Sequence, residues 1–214
     1  MAYKLTEQTL ALMKMAPVIP VIQVEDAADA MAQAKALISG GLMVLEITLR
    51  TPAALKSIEM LARVFPEAMI GAGTIRDEDQ LLAAVGAGAR FLVSPGMPPA
   101  LLKAVKKSPV PILPGVATAT EAMTLHDKGF RCMKFFPAEP AGGAKYLSSL
   151  GGPLPDLIFC PTGGIDIVKA KAYLALKNVA CVGGSWMVAP ALIKAGDYAA
   201  VEQLAREAAE LRAA

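Results

Sequence analysis

Aromatic residues make up only 5% of this 214-residue chain, with one tryptophan and one histidine, His126. A core of that composition is aliphatic and alanine-rich, and 55% hydrophobic residues supply enough of it for one large domain. Cysteine is scarce as well. Cys132, Cys160 and Cys181 lie far apart with no CxxC spacing, so buried, reduced thiols are expected and a zinc site is not. His126 falls on an expected helix, where a surface position is the default. Long apolar runs are also missing. None approaches the roughly 18–20 residues that a spanning helix needs, and the run from Gly41 to Leu49 is broken by Glu46, so no membrane association is expected. Nor is there an excess of charge of one sign. A net charge of +2, with Lys106-Lys107 the longest basic run, argues against a nucleic-acid partner and leaves an anionic small molecule open. The segment from Met1 to Gln8 has no charged region leading into an apolar one, so a signal peptide is not expected and a cytoplasmic location is.

What the chain does have is a rhythm. Short apolar, β-branched runs recur at residues 18–22, 43–48, 69–73, 91–94, 111–113, 132–136, 157–160 and 179–183, about one every 20–26 residues. Between them lie stretches with apolar residues at helical spacing, such as 26–38 and 76–85, with acidic residues near the first turn and glycine just beyond the last. Strands apolar along their whole length and joined by helices form a parallel sheet. Eight such units predict a single (β/α)8 TIM barrel. Residues 6–15 read as an extra N-terminal helix able to plug the barrel floor, and 197–211 as a last amphipathic helix. No linker or low-complexity tract divides the chain, so residues 1–214 are expected to form one domain. An open doubly wound sheet is the runner-up, but the first strand-to-helix turn carries no GxGxxG.

In a barrel, chemistry sits where strands end and the following loops begin. One residue there is out of place in an apolar strand: Lys134, within Cys132-Met133-Lys134-Phe135-Phe136-Pro137. A buried ammonium must be paired or neutralised, and the neutral amine is a nucleophile toward carbonyl carbon. The plain alternative is a core ion pair or a lysine snorkelling to water. On strand two a period of two puts Glu46, Thr48 and Arg50 on one face. With that face inward, a carboxylate, a guanidinium and an amine meet in one barrel mouth. The other strand ends carry Gly71-Ala72-Gly73-Thr74, Ser94-Pro95-Gly96, Thr162-Gly163-Gly164 and Gly183-Gly184-Ser185. Two glycine pairs after strands seven and eight match the phosphate site common in barrels, with backbone N–H groups cradling the anion.

These strings resemble the 2-keto-3-deoxy-6-phosphogluconate (KDPG) and 4-hydroxy-2-oxoglutarate aldolases, class I (Schiff-base) lyases of the Entner–Doudoroff pathway. The resemblance spans essentially the whole chain, and Lys134-Phe135-Phe136-Pro137-Ala138-Glu139 and Phe159-Cys160-Pro161-Thr162-Gly163-Gly164-Ile165 are its most specific segments. It implies a (β/α)8 barrel acting on a phosphorylated 2-keto acid with neither cofactor nor metal, usually as a homotrimer. It implies that Lys134 is the Schiff-base lysine and Glu46 the general acid/base. Arg50 and Thr74 would bind the carboxylate end of the pyruvyl group, Pro95, Phe136 and Thr162 would line the pocket, and Gly163, Gly164, Gly184 and Ser185 would bind the phosphate. Rivals on the same barrel are a 4-hydroxy-2-oxoglutarate or phosphogalactonate-epimer aldolase, a phosphosugar isomerase or epimerase, and a non-catalytic phosphosugar-binding barrel. The last two have no need of Lys134.

Overall fold

The computed structural model describes residues 2–211, with the side chains of residues 2–5 left out. Helix α1 (Ala2–Lys14) comes first, followed by alternating strands and helices: β1 (Val18–Ile22), α2 (Ala27–Ser39), β2 (Val44–Thr48), α3 (Ala54–Val64), β3 (Met69–Gly73), α4 (Glu78–Gly86), β4 (Leu92–Val93) and α5 (Pro99–Val105). The second half continues with β5 (Ile112–Leu113), β6 (Gly115–Val116), α6 (Ala119–His126), β7 (Cys132–Phe135), α7 (Gly143–Leu150), β8 (Ile158–Pro161), α8 (Ile167–Leu174) and β9 (Val182–Gly184). A 3-10 turn (Trp186–Val188) and helices α9 (Pro190–Ala195) and α10 (Tyr198–Ala209) close the chain. Asp26, Asp77 and Asp166 cap α2, α4 and α8 with their side chains, and Thr118 and Glu121 form a reciprocal capping box on α6.

All strand pairings are parallel. A six-stranded sheet runs β5-β4-β3-β2-β1-β9 and a three-stranded sheet runs β6-β7-β8. The fold is therefore α/β with buried parallel strands, as expected; β2 is buried at every position. The strand count is a correction: nine strands stand among the described residues where eight were expected. Pro114, which has no N–H to give a ladder, follows the fifth expected strand, and Gly115–Val116 beyond it form the additional one. On one side, Leu113 still pairs with Val93 of β4. On the other, Gly115 pairs with Lys134 of β7, and its N–H turns to the hydroxyl of Ser94 at 3.3 Å. At the opposite edge of the small sheet, Thr162 bridges Gly183 of β9.

Helix α1 packs against the starts of β5 and β7; the Thr9 hydroxyl donates to the Ile112 carbonyl at 3.3 Å, and Leu12 and Met13 are buried. It leaves the opposite, C-terminal ends of the strands open for loops. The three cysteines are free and buried, Cys132 on β7, Cys160 on β8 and Cys181 just before β9. Burial pushes the Cys132 thiol up to about 11 against a small opposing effect of Lys14. A hydrogen bond with Cys160 and burial raise Cys181 as well. Since the thiolate is the reactive form, Ellman's reagent at about pH 8 should titrate none of the three thiols in the folded protein and all three in denaturant. Rapid reaction without denaturant would contradict this placement.

Candidate active site

The site grows from two strands of different sheets. Lys134 on β7 and Glu46 on β2 are 6% and 3% exposed, and the Lys134 Nζ stands 3.4 Å from the Glu46 Oε1. The alternation expected on β7 is present: Met133 and Phe135 are fully buried on the other face, while the Lys134 ammonium lies 5.2 Å from the centre of the Phe136 ring. Gly73 makes the room. A Cβ there would collide with the Glu46 carboxylate, so this strand end accepts only glycine while Glu46 holds its position. Gly71, one pleat earlier, likewise admits the ring of Phe91.

Strand β2 stops at Thr48, two residues short of Arg50. Thr48 is fully buried and its hydroxyl donates to the Ile22 carbonyl at 2.9 Å, which ties β2 to β1. Arg50 stands in the turn beyond, exposed, and lines a cleft of about 580 Å³ with Val21, Gln23, Ser185 and Lys194. Glu46 and Lys134 thus form a buried pair, and Arg50 belongs to the cleft above the strand ends. Thr74 follows Gly73 with φ 66°, the one non-glycine residue with positive φ among the described residues. For a β-branched side chain this conformation costs on the order of 1–3 kcal/mol and persists only where the surroundings impose it. Pro95 is exposed on the loop after β4, and its backbone fills the space beside Gly115.

The two glycine turns differ in construction. Gly163 and Gly164 have φ 108° and 76°, conformations that favour glycine. They lie against the loop that leaves β7: the Ala138 N–H donates to the Thr162 carbonyl at 2.8 Å and the Glu139 N–H to the Gly163 carbonyl at 3.1 Å. The loop carrying Phe136 and the loop carrying Thr162, Gly163 and Gly164 are therefore sewn together. Gly183 and Gly184 are glycines for packing. The Thr162 side chain fills the space beside Gly183, and the Trp186 indole fills that beside Gly184. Ser185 is exposed ahead of the 3-10 turn, at the rim of the cleft with Arg50.

Sequence reasoning missed a second layer. The carboxylate of Glu139 accepts from the Tyr173 hydroxyl at 2.6 Å and pairs with Lys169 at 3.3 Å, while the Lys169 ammonium donates to the Gly164 carbonyl at 2.9 Å. Burial, the hydrogen bond to Glu139 and its charge together raise the Tyr173 hydroxyl well above its usual range. Gln23, Glu25, Asp29 and Lys194 on the cleft wall were missed too. Among the described residues, no three His, Cys, Asp or Glu side chains are grouped so as to hold a metal ion. Gly73→Ala should destabilise the fold by about 1–3 kcal/mol in urea unfolding, since the new methyl must displace Glu46. Gly86→Ala, where the space is open, should be neutral or stabilising; equal effects of the two substitutions would contradict the close approach of Glu46 to Gly73.

Comparison with known proteins agrees with this geometry. A sequence model of the family "KDPG and KHG aldolase" matches residues 10–204. The KHG/KDPG aldolase of Escherichia coli is 47% identical over 194 residues, covering 91% of each chain. The 2-dehydro-3-deoxy-phosphogluconate aldolase of Pseudomonas aeruginosa is 47% identical over 199 residues, 93% of this chain and 90% of that one. Among solved structures, KDPG aldolase from Legionella pneumophila, with pyruvate captured as a covalent carbinolamine, superposes with a TM-score of 0.93 at 45% identity, covering 95% of this chain and 98% of that one. The Zymomonas mobilis 2-keto-3-deoxy-6-phosphogluconate aldolase with 3-phosphoglycerate superposes with a TM-score of 0.92 at 43% identity, covering 98% of both chains. With a strand-borne lysine paired to a buried glutamate, and relatives matched nearly end to end, the chain belongs to the KDPG and KHG aldolase family.

Proposed function

We propose that this protein is a class I aldolase that splits 2-keto-3-deoxy-6-phosphogluconate into pyruvate and D-glyceraldehyde 3-phosphate through an imine on Lys134. The observation that carries the reading is the buried Lys134–Glu46 pair at 3.4 Å. A carboxylate at that distance takes a proton from the ammonium and frees the amine lone pair. The amine adds to the keto carbon, and Glu46 returns a proton as the carbinolamine loses water to give a protonated imine. Glu46 then removes the proton from the substrate's hydroxyl. The carbon–carbon bond breaks, its electrons flow into the imine to form an enamine, and the aldehyde departs. Protonation of the enamine carbon and hydrolysis of the imine release pyruvate and restore Lys134. The imine serves as the electron sink, so no metal or cofactor is required.

In this reading Arg50 and Thr74 hold the pyruvyl carboxylate; Arg50 offers a planar pair of donors that lysine does not match. Phe136, Thr162 and Pro95 line the pocket, the first of them packed against the Lys134 ammonium. Gly163, Gly164, Gly184 and Ser185 receive the phosphate, supported by the positive φ of the first two and the exposure of Ser185. Phosphate held away from the breaking bond orients the substrate. Activity on 4-hydroxy-2-oxoglutarate is the second reading, favoured by the double name of the Escherichia coli relative.

The same reading takes residues 1–214 as one domain and the two sheets as a single (β/α)8 barrel, with β5 and β6 counted as one strand. It is supported by the Thr162–Gly183 bridge at one junction and by the Lys134 N–H donating to the Pro114 carbonyl at 2.8 Å at the other. A homotrimer in the cytoplasm completes it, on the family resemblance; no helix among the described residues is long and apolar enough to cross a membrane. Pyruvate release coupled to lactate dehydrogenase tests the chemistry. Lys134→Ala should abolish cleavage with the far-UV circular dichroism retained, and Glu46→Gln should lower kcat by about 10²-fold or more. Near wild-type turnover in either variant would remove that residue from the mechanism.

A further inference from the structure

Two carboxylates flank the Gly163–Gly164 turn, in a site that should repel the anion it is read to bind. Glu139 packs its own side chain against Gly164, with Cβ and Cγ at 3.0 Å from where a Cβ on that glycine would stand, and its backbone N–H holds the Gly163 carbonyl. Asp166 is two residues further along and caps α8 by accepting from the Lys169 N–H at 2.9 Å. Both have structural duties, Glu139 being anchored in turn by the buried Tyr173. Glu139 braces the turn and Asp166 caps the helix that follows it. Both nevertheless place negative charge beside it.

Lys169 answers both. Its ammonium lies 3.3 Å from Glu139 and 3.9 Å from Asp166, and donates to the Gly164 carbonyl at 2.9 Å. We propose that Lys169 is a specificity-determining residue that permits phosphate binding by offsetting part of the field of the two carboxylates beside the turn, with Glu139 as its positioning residue. The inference rests on reading the turn as the phosphate subsite. The Lys169 side chain is 45% exposed, so its effect is partly screened by solvent and weakens as salt rises.

A purely structural role and a charge-compensating one predict different signs. Inorganic phosphate, used as a competitive inhibitor of KDPG cleavage, is the probe. Lys169→Met leaves two uncompensated carboxylates and should raise the phosphate Ki and the KM for KDPG about fivefold at low ionic strength, with the increase shrinking as potassium chloride is added. Lys169→Arg should retain the wild-type constants. Glu139→Gln keeps an acceptor for Tyr173 while removing one negative charge, and should lower the phosphate Ki. If Lys169→Met and Glu139→Gln both raise the Ki, with no salt dependence, the network is a strut and the proposal is overturned while the phosphate subsite stands. If inorganic phosphate does not compete in the wild-type protein, the reading of the turn as a phosphate subsite falls, and this inference with it.

Discussion

An ammonium and a carboxylate that share one dry space, Lys134 against Glu46, are the constraint on which the rest of the structure depends. Removing either charge from water costs several kcal/mol, and only close pairing in good geometry compensates. The partners sit 88 positions apart in sequence, so the sheet must curve until the middle of β2 faces β7. That demand reaches the neighbouring strand, where Gly73 forgoes a side chain to leave room for the carboxylate. A core of plain aliphatic residues would be at least as stable. In the proposed mechanism the pair places a proton acceptor beside the amine that attacks the keto carbon.

Around that pair the loops divide the work. The turn after β2 carries Arg50 out of the strand to the cleft that it lines together with Ser185, which follows the edge strand β9. The loops after β7 and β8 are joined by two backbone hydrogen bonds, so Phe136 beneath the ammonium and the Gly163–Gly164 turn are held as one unit. Reaction centre and anion turn are thus rigidly related through Ala138 and Glu139. In the proposed mechanism a substrate gripped at its remote end is thereby registered against Lys134, which is how binding energy far from the chemistry becomes rate.

Much of this was legible in the residues. The period-two pattern placed Lys134 and Phe136 on one face and Met133 and Phe135 on the other, because β7 is regular and flanked by strands on both sides. On β2 the strand ends at Thr48, so the direction of Arg50, two residues further on, is set by a turn that the pattern does not describe. Pro114 was visible, but its effect depended on which neighbours surround it: Ser94 takes the N–H that follows, and the chain changes partners there. Glu139, Lys169 and Tyr173 left no local signature at all. Their contacts join the loop after β7 to α8 across 34 positions, and such a contact leaves no periodicity in the sequence. Gly163 and Gly164 announced a turn, and only the structure revealed what braces it.

The most direct test of the central claim is to incubate the protein with pyruvate and sodium borohydride and map the modified peptide by mass spectrometry. In the proposed mechanism the amine of Lys134 is the nucleophile, so a reduced pyruvyl adduct should form on Lys134 alone, and activity should be lost in step with it. Full activity with no adduct, or an adduct on another lysine, would contradict the account.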